Sequence, residues 1–240
     1  MHTAARLGAD AVEIDARDDL RPGQMSQTGL RELRKVLDGL NLRVAAVSFI
    51  TRRGYDVAED LEARVDATKA AMNFAYSLRA PVVVNRIGRV DQDGDEERRQ
   101  SLLAVLTDLG AYGHRTGAML AAKTGQDNPD DVLSLFQALP LGCLAVDLDP
   151  GGLIANGIPP LEMVEKLGES ILHVRARDGL RDLAQGVGVE TPLGRGAVDF
   201  PALLASLDER GYSGYLTLER RGGEDPIFEI GQGVKYLKNL

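Results

Sequence analysis

The chain has 240 residues, 44% of them hydrophobic and 27% charged, with a formal net charge of −8 at pH 7. That balance describes a globular protein and argues against a broad nucleic-acid surface, which needs excess lysine and arginine to displace counterions. The single cysteine, Cys143, excludes an internal disulfide and a cysteine metal cluster. No apolar run approaches the roughly 20 residues of a membrane span, and with no secretory apolar core at the start a cytoplasmic location is the expectation.

Residues 2–8 read as the end of a helix that Gly8 stops. Residues 11–17 follow as a strand, with Val12 and Ile14 on one face and Glu13 and Asp15 on the other. A helix over 30–40 and a Val/Ala-rich strand over 43–49 come next. The apolar series Val57, Leu61, Val65, Met72 and Ala75 predicts a long helix over 57–79. Pro81 ends it, and PVVVNRI is the next strand. The acidic stretch 91–97 reads as a solvated loop that turns into a helix reaching about residue 115, its acids suiting the positive end of the helix dipole.

Residues 119–123 predict a short strand, and 128–138 a helix capped by Asn128 with Pro129 at its first position. A strand over 143–149 and a helix over 159–167 lead to the most informative stretch. It reads ILHVRARDG as a strand, PLGRGAVDF as a glycine-rich loop, PALLASLDERGY as a helix, and SGYLTLERR as a strand ending at Arg221. A last helix occupies 226–239.

Seven strands alternating with helices imply a parallel sheet with crossover helices. Short strands and regular connections point to a (β/α)8 TIM barrel, which is typical at about this length. The eighth strand is expected ahead of residue 2, because the chain opens inside a helix. The reading is therefore one α/β barrel domain over 1–240, incomplete at its N-terminus, with sheet edges open to a partner chain or to a second copy in a homo-oligomer.

Alternation places a set of charges at the C-terminal ends of these strands, where barrels carry their active sites. Glu13, Asp15, Lys123, Asp149, Arg175 and Glu219 are expected at the mouth, with Asp147 and His173 one layer deeper as structural residues. In the strand over 143–149 the inward set is Cys143, Ala145, Asp147 and Asp149. Mixed charges in a partly dry concavity must pair with one another or with a ligand. Asn85, Arg86, Arg177, Asp178 and Arg195, with Arg52 and Arg53, also lie at or just past strand ends and are candidates for contacting an anionic substrate group.

The segments LGADAVEID, LAVDLDPGGLIANG, ILHVRARD, PLGRGAVDF and GYSGYLTLERR resemble the xylose isomerase-like barrel superfamily, in particular the branch named sugar phosphate isomerase/epimerase. The resemblance covers nearly the whole chain. It implies proton transfer beside the carbonyl of a small sugar or sugar acid, with glutamates as acid and base and a divalent metal, manganese or magnesium, holding the substrate oxygens. The implied metal ligands are a glutamate, an aspartate, a histidine and a second glutamate, on four successive strands. Asp149 and Glu219 match this pattern as metal ligands. Lys123 stands in place of a glutamate, Arg175 in place of the histidine, and Gly152 where a further histidine often follows the aspartate.

Two carboxylates beside two cations make a poor metal site, so Lys123 and Arg175 are expected to supply the positive charge themselves. On that reading Glu219 is a base, Lys123 or Arg175 the electrophile, and Asp149 their ion-pair partner. The competing expectation is a non-catalytic barrel that binds a small polyol, an anion or a protein partner. No phosphate-cradling loop, nucleophile elbow or dinucleotide fingerprint is present.

Overall fold

The computed structural model describes residues 1–90, 96–182, 187–220 and 222–240. The expected loop over 91–95 and the side chain of Arg221 lie outside the described residues. Helix α1 (His2–Arg6) precedes β1 (Ala11–Asp15), and the pattern then repeats as α2 (Gln27–Gly39), β2 (Arg43–Ser48), α3 (Leu61–Ser77), β3 (Val82–Asn85), α4 (Glu96–Thr116), β4 (Met119–Lys123), α5 (Pro129–Ala138) and β5 (Ala145–Leu148). Two helices, α6 (Pro150–Ala155) and α7 (Pro160–Leu167), lead to β6 (Ile171–Ala176). A hairpin of β7 (Asp178–Asp182) and β8 (Val187–Thr191) follows, then α8 (Phe200–Glu209), β9 (Leu216–Leu218) and α9 (Pro226–Lys238).

Strands β1 to β6 and β9 form one parallel sheet in that order, curled into a nearly closed barrel. Strands β1 and β9 are its edges and approach each other without sharing a hydrogen-bonded ladder. The helices pack outside, and the buried layer between them and the sheet holds Ile14, Val47, Val83, Leu120, Val146, Leu148 and Val174 among many others. Inside the barrel the residues are small: Ala46, Val82, Val84, Ala121 and Ala145 form a separate buried cluster. Small side chains there leave room above them for charged groups.

Local chemistry sets the helix starts. Ser26, Asn128, Asp149, Asp199 and Asp225 each accept a backbone N–H from the first turn of the helix they precede. Helix α3 starts four residues later than its apolar stripe suggests. Tyr55 turns fully into the core there, its N–H bonded to the Ile87 carbonyl at 2.7 Å, which holds the preceding residues against the loop after β3.

Three expectations need correction. The stretch after β6 is not simply a glycine-rich loop, because residues 178–182 and 187–191 pair as antiparallel strands. Asp149 does not end a strand; it caps α6, a short helix that the PGG sequence conceals. Cys143 precedes β5 and faces α4, its Sγ 3.2 Å from the Leu106 carbonyl, so strand alternation does not extend to it.

Candidate active site

The strand ends converge on a cavity of about 770 Å³ that opens between β1 and β9. Glu13, Asp15, Ser48, Lys123, Arg175 and Glu219 line its charged part, while Leu7, Leu216, Ile230 and Val234 contribute to an apolar flank under α1 and α9.

The centre of the charged part is Arg175, only 3% exposed. Its Nε donates to Asp147 Oδ2 at 2.8 Å, and its Nη1 donates to Glu13 Oε1 at 3.1 Å and to Glu219 Oε2 at 3.2 Å. Its Nη2 lies 3.0 Å from Glu13 Oε2, but neither atom is aligned for a hydrogen bond, so each keeps a bonding position in reserve. Asp147 is fully buried and uses its other oxygen on His173 Nδ1 at 2.6 Å; His173 Nε2 in turn meets Thr217 Oγ1 at 2.8 Å. This deeper layer holds the guanidinium in one orientation, as a bonded carboxylate orients its partner.

The electrostatics follow from burial and pairing. Burial would raise the Asp147 carboxyl, but the Arg175 and His173 charges outweigh it and hold that group below the usual carboxylate range. Glu13 goes the other way: burial wins over the attraction of Arg175 and His173, and its carboxyl is pushed up. Burial also works against the Arg175 charge, yet Asp147, Glu13 and Glu219 keep it firmly protonated.

A second chain of ion pairs runs beside the first. Asp149 accepts the Gly152 N–H at 2.9 Å and Arg177 Nη1 at 2.7 Å. Arg177 reaches Glu190 at 3.3 Å, Glu190 pairs with Arg220 at 2.7 Å, and Arg220 pairs with Glu229. Glu190, Arg220 and Glu229 escape a reading of the sequence: Glu190 sits on the unforeseen hairpin, and ion-pair partners far apart in sequence leave no local signal.

The other candidates divide by their bonds. Asp15 lines the cavity but also closes its own turn, accepting the N–H groups of Arg17 and Asp18 at 2.7 and 2.9 Å. Asn85 is fully buried; its oxygen accepts from Thr51 and from the Arg86 N–H, and its amide donates to Tyr55. Asp178 is buried under the PLGRG loop and accepts backbone N–H groups of Gly179, Gly194, Gly196 and Val198. Asn85 and Asp178 therefore build loops, and neither lines the main cavity. Arg86 and Arg195 are exposed and outside it.

A divalent metal does not fit this donor set. A guanidinium sits among three of the carboxylates, Asp149 is held by Arg177 and a helix cap, and no group of three or more His, Cys, Asp or Glu side chains among the described residues is placed to hold an ion.

A family model described as xylose isomerase-like TIM barrel matches residues 1–240. A curated relative, inosose dehydratase of Clostridium beijerinckii, is 26% identical over 244 residues, covering 86% of this chain and 79% of that protein. A crystal structure of a xylose isomerase domain protein from Planctomyces limnophilus superposes with a TM-score of 0.88 at 22% identity, covering 99% of this chain and 90% of that one. A xylose isomerase-like TIM barrel protein from Mycobacterium smegmatis, solved in complex with magnesium, gives 0.80 at 20% identity, covering 99% and 85%.

Proposed function

This chain belongs to the xylose isomerase-like TIM barrel family, and from that premise we propose that it is an enzyme that moves a proton beside the carbonyl of a small sugar-like polyhydroxy compound, with arginine and lysine in place of the metal. The observation that carries the proposal is Arg175, buried at the cavity wall and held by Asp147 from beneath, with Glu13 and Glu219 on its other nitrogens. A fixed cation of this kind stabilises the oxygen of an enolate as negative charge develops on it.

Glu219 and Glu13 are the acid and base. Burial raises the carboxyl of Glu13, the direction that suits a group exchanging a proton with substrate. One takes the proton from the carbon beside the carbonyl, and Arg175 with Lys123 holds the resulting oxyanion. Return of a proton gives an isomer or epimer. Loss of a neighbouring hydroxyl as water instead completes a dehydration, and that begins with the same transfer; relatives named inosose dehydratase support this branch.

The test is deuterium incorporation from heavy water into a panel of keto-sugars, sugar acids and inososes. Wild type exchanges one hydrogen of its substrate, and Glu219→Gln abolishes exchange while circular dichroism stays unchanged. A wild type inert across the panel favours the second reading, a barrel that binds a polyol without catalysis. The engagement of Asp147 and Asp149 in ion pairs supports that reading.

A further inference from the structure

A second cavity of about 420 Å³ lies on the same rim, lined by Arg17, Thr51, Arg52, Arg53, Asp60, Ala63 and Arg64. It adjoins the first along two strands. Asp15 and Ile50 line the large cavity, and Arg17 and Thr51 just beyond them line this one.

Four arginines around one cavity go against the character of the chain, whose net charge is −8. Of these, Arg53 pairs with Glu59 at 2.6 Å. Arg64 is anchored by the carbonyls of Val57 and Glu59, but its Nε is buried with no hydrogen-bond partner. Arg17 and Arg52 have no carboxylate partner among the described residues. Among the described residues, Glu59 and Asp60 are the only acids on or paired to this wall, so four positive charges face two negative ones. The first turn of α3 adds the positive end of a 17-residue helix whose N-cap, Asp60, makes no capping bond. The loop that carries Arg52 and Arg53 is built rather than loose, because Asn85 binds both the N–H and the hydroxyl of Thr51.

We propose that this cavity is an anion site that takes a doubly charged phosphate group. Guanidinium groups bond phosphate oxygens in pairs, and the net charge of two on the wall matches the dianion. The site does not depend on the chemistry at Arg175.

The test is calorimetric titration of the full chain with inorganic phosphate, and separately with fructose 6-phosphate, at constant ionic strength. Saturable binding to wild type, weakened at least tenfold in Arg17→Gln/Arg52→Gln, is the expected result. Arg31→Gln/Arg43→Gln removes the same charge from exposed positions outside the cavity and is expected to bind as wild type does. Tighter binding of the ester than of the free ion marks a phosphorylated small molecule as ligand; equal binding marks the ion itself. Non-saturable binding, or equal weakening in both double variants, overturns the proposal. Glu13→Gln separates it from the function above, since that variant is expected to lose proton exchange and keep phosphate binding.

Discussion

Replacing Arg175 with methionine removes the charge while keeping the volume of its aliphatic stem. Asp147, Glu13 and Glu219 each lose a hydrogen bond, of 2.8, 3.1 and 3.2 Å respectively, and Asp147 is left buried with only His173 beside it. Breaking a buried ion pair by removing one partner costs about 3–5 kcal/mol at neutral pH. In wild type, Asp147 is held below the ordinary carboxylate range, so its ionised form contributes stability above the unfolded-chain value, and that contribution is lost as pH falls through the depressed folded value. Without Arg175, burial dominates and the folded value moves above the unfolded one. The variant then loses stability as pH rises between the two. Its deficit is therefore greatest at pH 7.5 and smaller at pH 4, where Asp147 of the variant is protonated while the wild-type ion pair still contributes. Urea unfolding of both proteins at the two pH values measures this. With m near ~2–3 kcal/mol/M, the midpoint falls by roughly 1.5 M at pH 7.5. A deficit below about 1 kcal/mol at pH 7.5, or one equal at both pH values, refutes the view that Arg175 compensates buried carboxylates.

Manganese titration followed by electron paramagnetic resonance is expected to show no stoichiometric site in wild type, whereas Lys123→Glu/Arg175→His binds at least tenfold more tightly. A tight equivalent in wild type that disappears with Asp149→Ala sinks the cation-for-metal argument. Gly110→Ala tests how closely α4 packs on the chain before β5: its Cβ would lie 2.2 Å from Cys143 Sγ and 2.4 Å from the Cys143 carbonyl oxygen. The expected cost is about 3 kcal/mol and a fall in Tm of roughly 6–12 °C. Gly39→Ala, with nothing within 4 Å, leaves Tm within about 2 °C. Equal melting of the two variants contradicts the packing.

The barrel was legible because its signals are local. Period-two alternation in β1 and β4 separates Ile14 and Leu120, packed under the helices, from Glu13 and Lys123, which line the cavity. The start of α5 is written in Asn128-Pro129, and the side-chain cap is present. The hairpin was hidden because its glycines and charges have weak strand preference, and it packs on α6 through glycines rather than through alternating apolar side chains. Asp149 has the composition of a strand end, yet the PGG that follows turns the chain into a helix at once. Least legible were the partnerships. Arg175 meets Glu13 across 162 residues, and nothing near either position tells which acid meets which base.

The unstitched seam between β1 and β9 has a consequence for colloidal behaviour. An open sheet edge displays bare N–H and C=O groups that recruit foreign strands. Here the sheet curls until its two edges face each other, with α1 and α9 flanking the gap. Each border screens the other from neighbouring molecules, so the fold gains much of the resistance to fibre-like stacking that a closed ring enjoys while keeping a lateral slot into its charged interior.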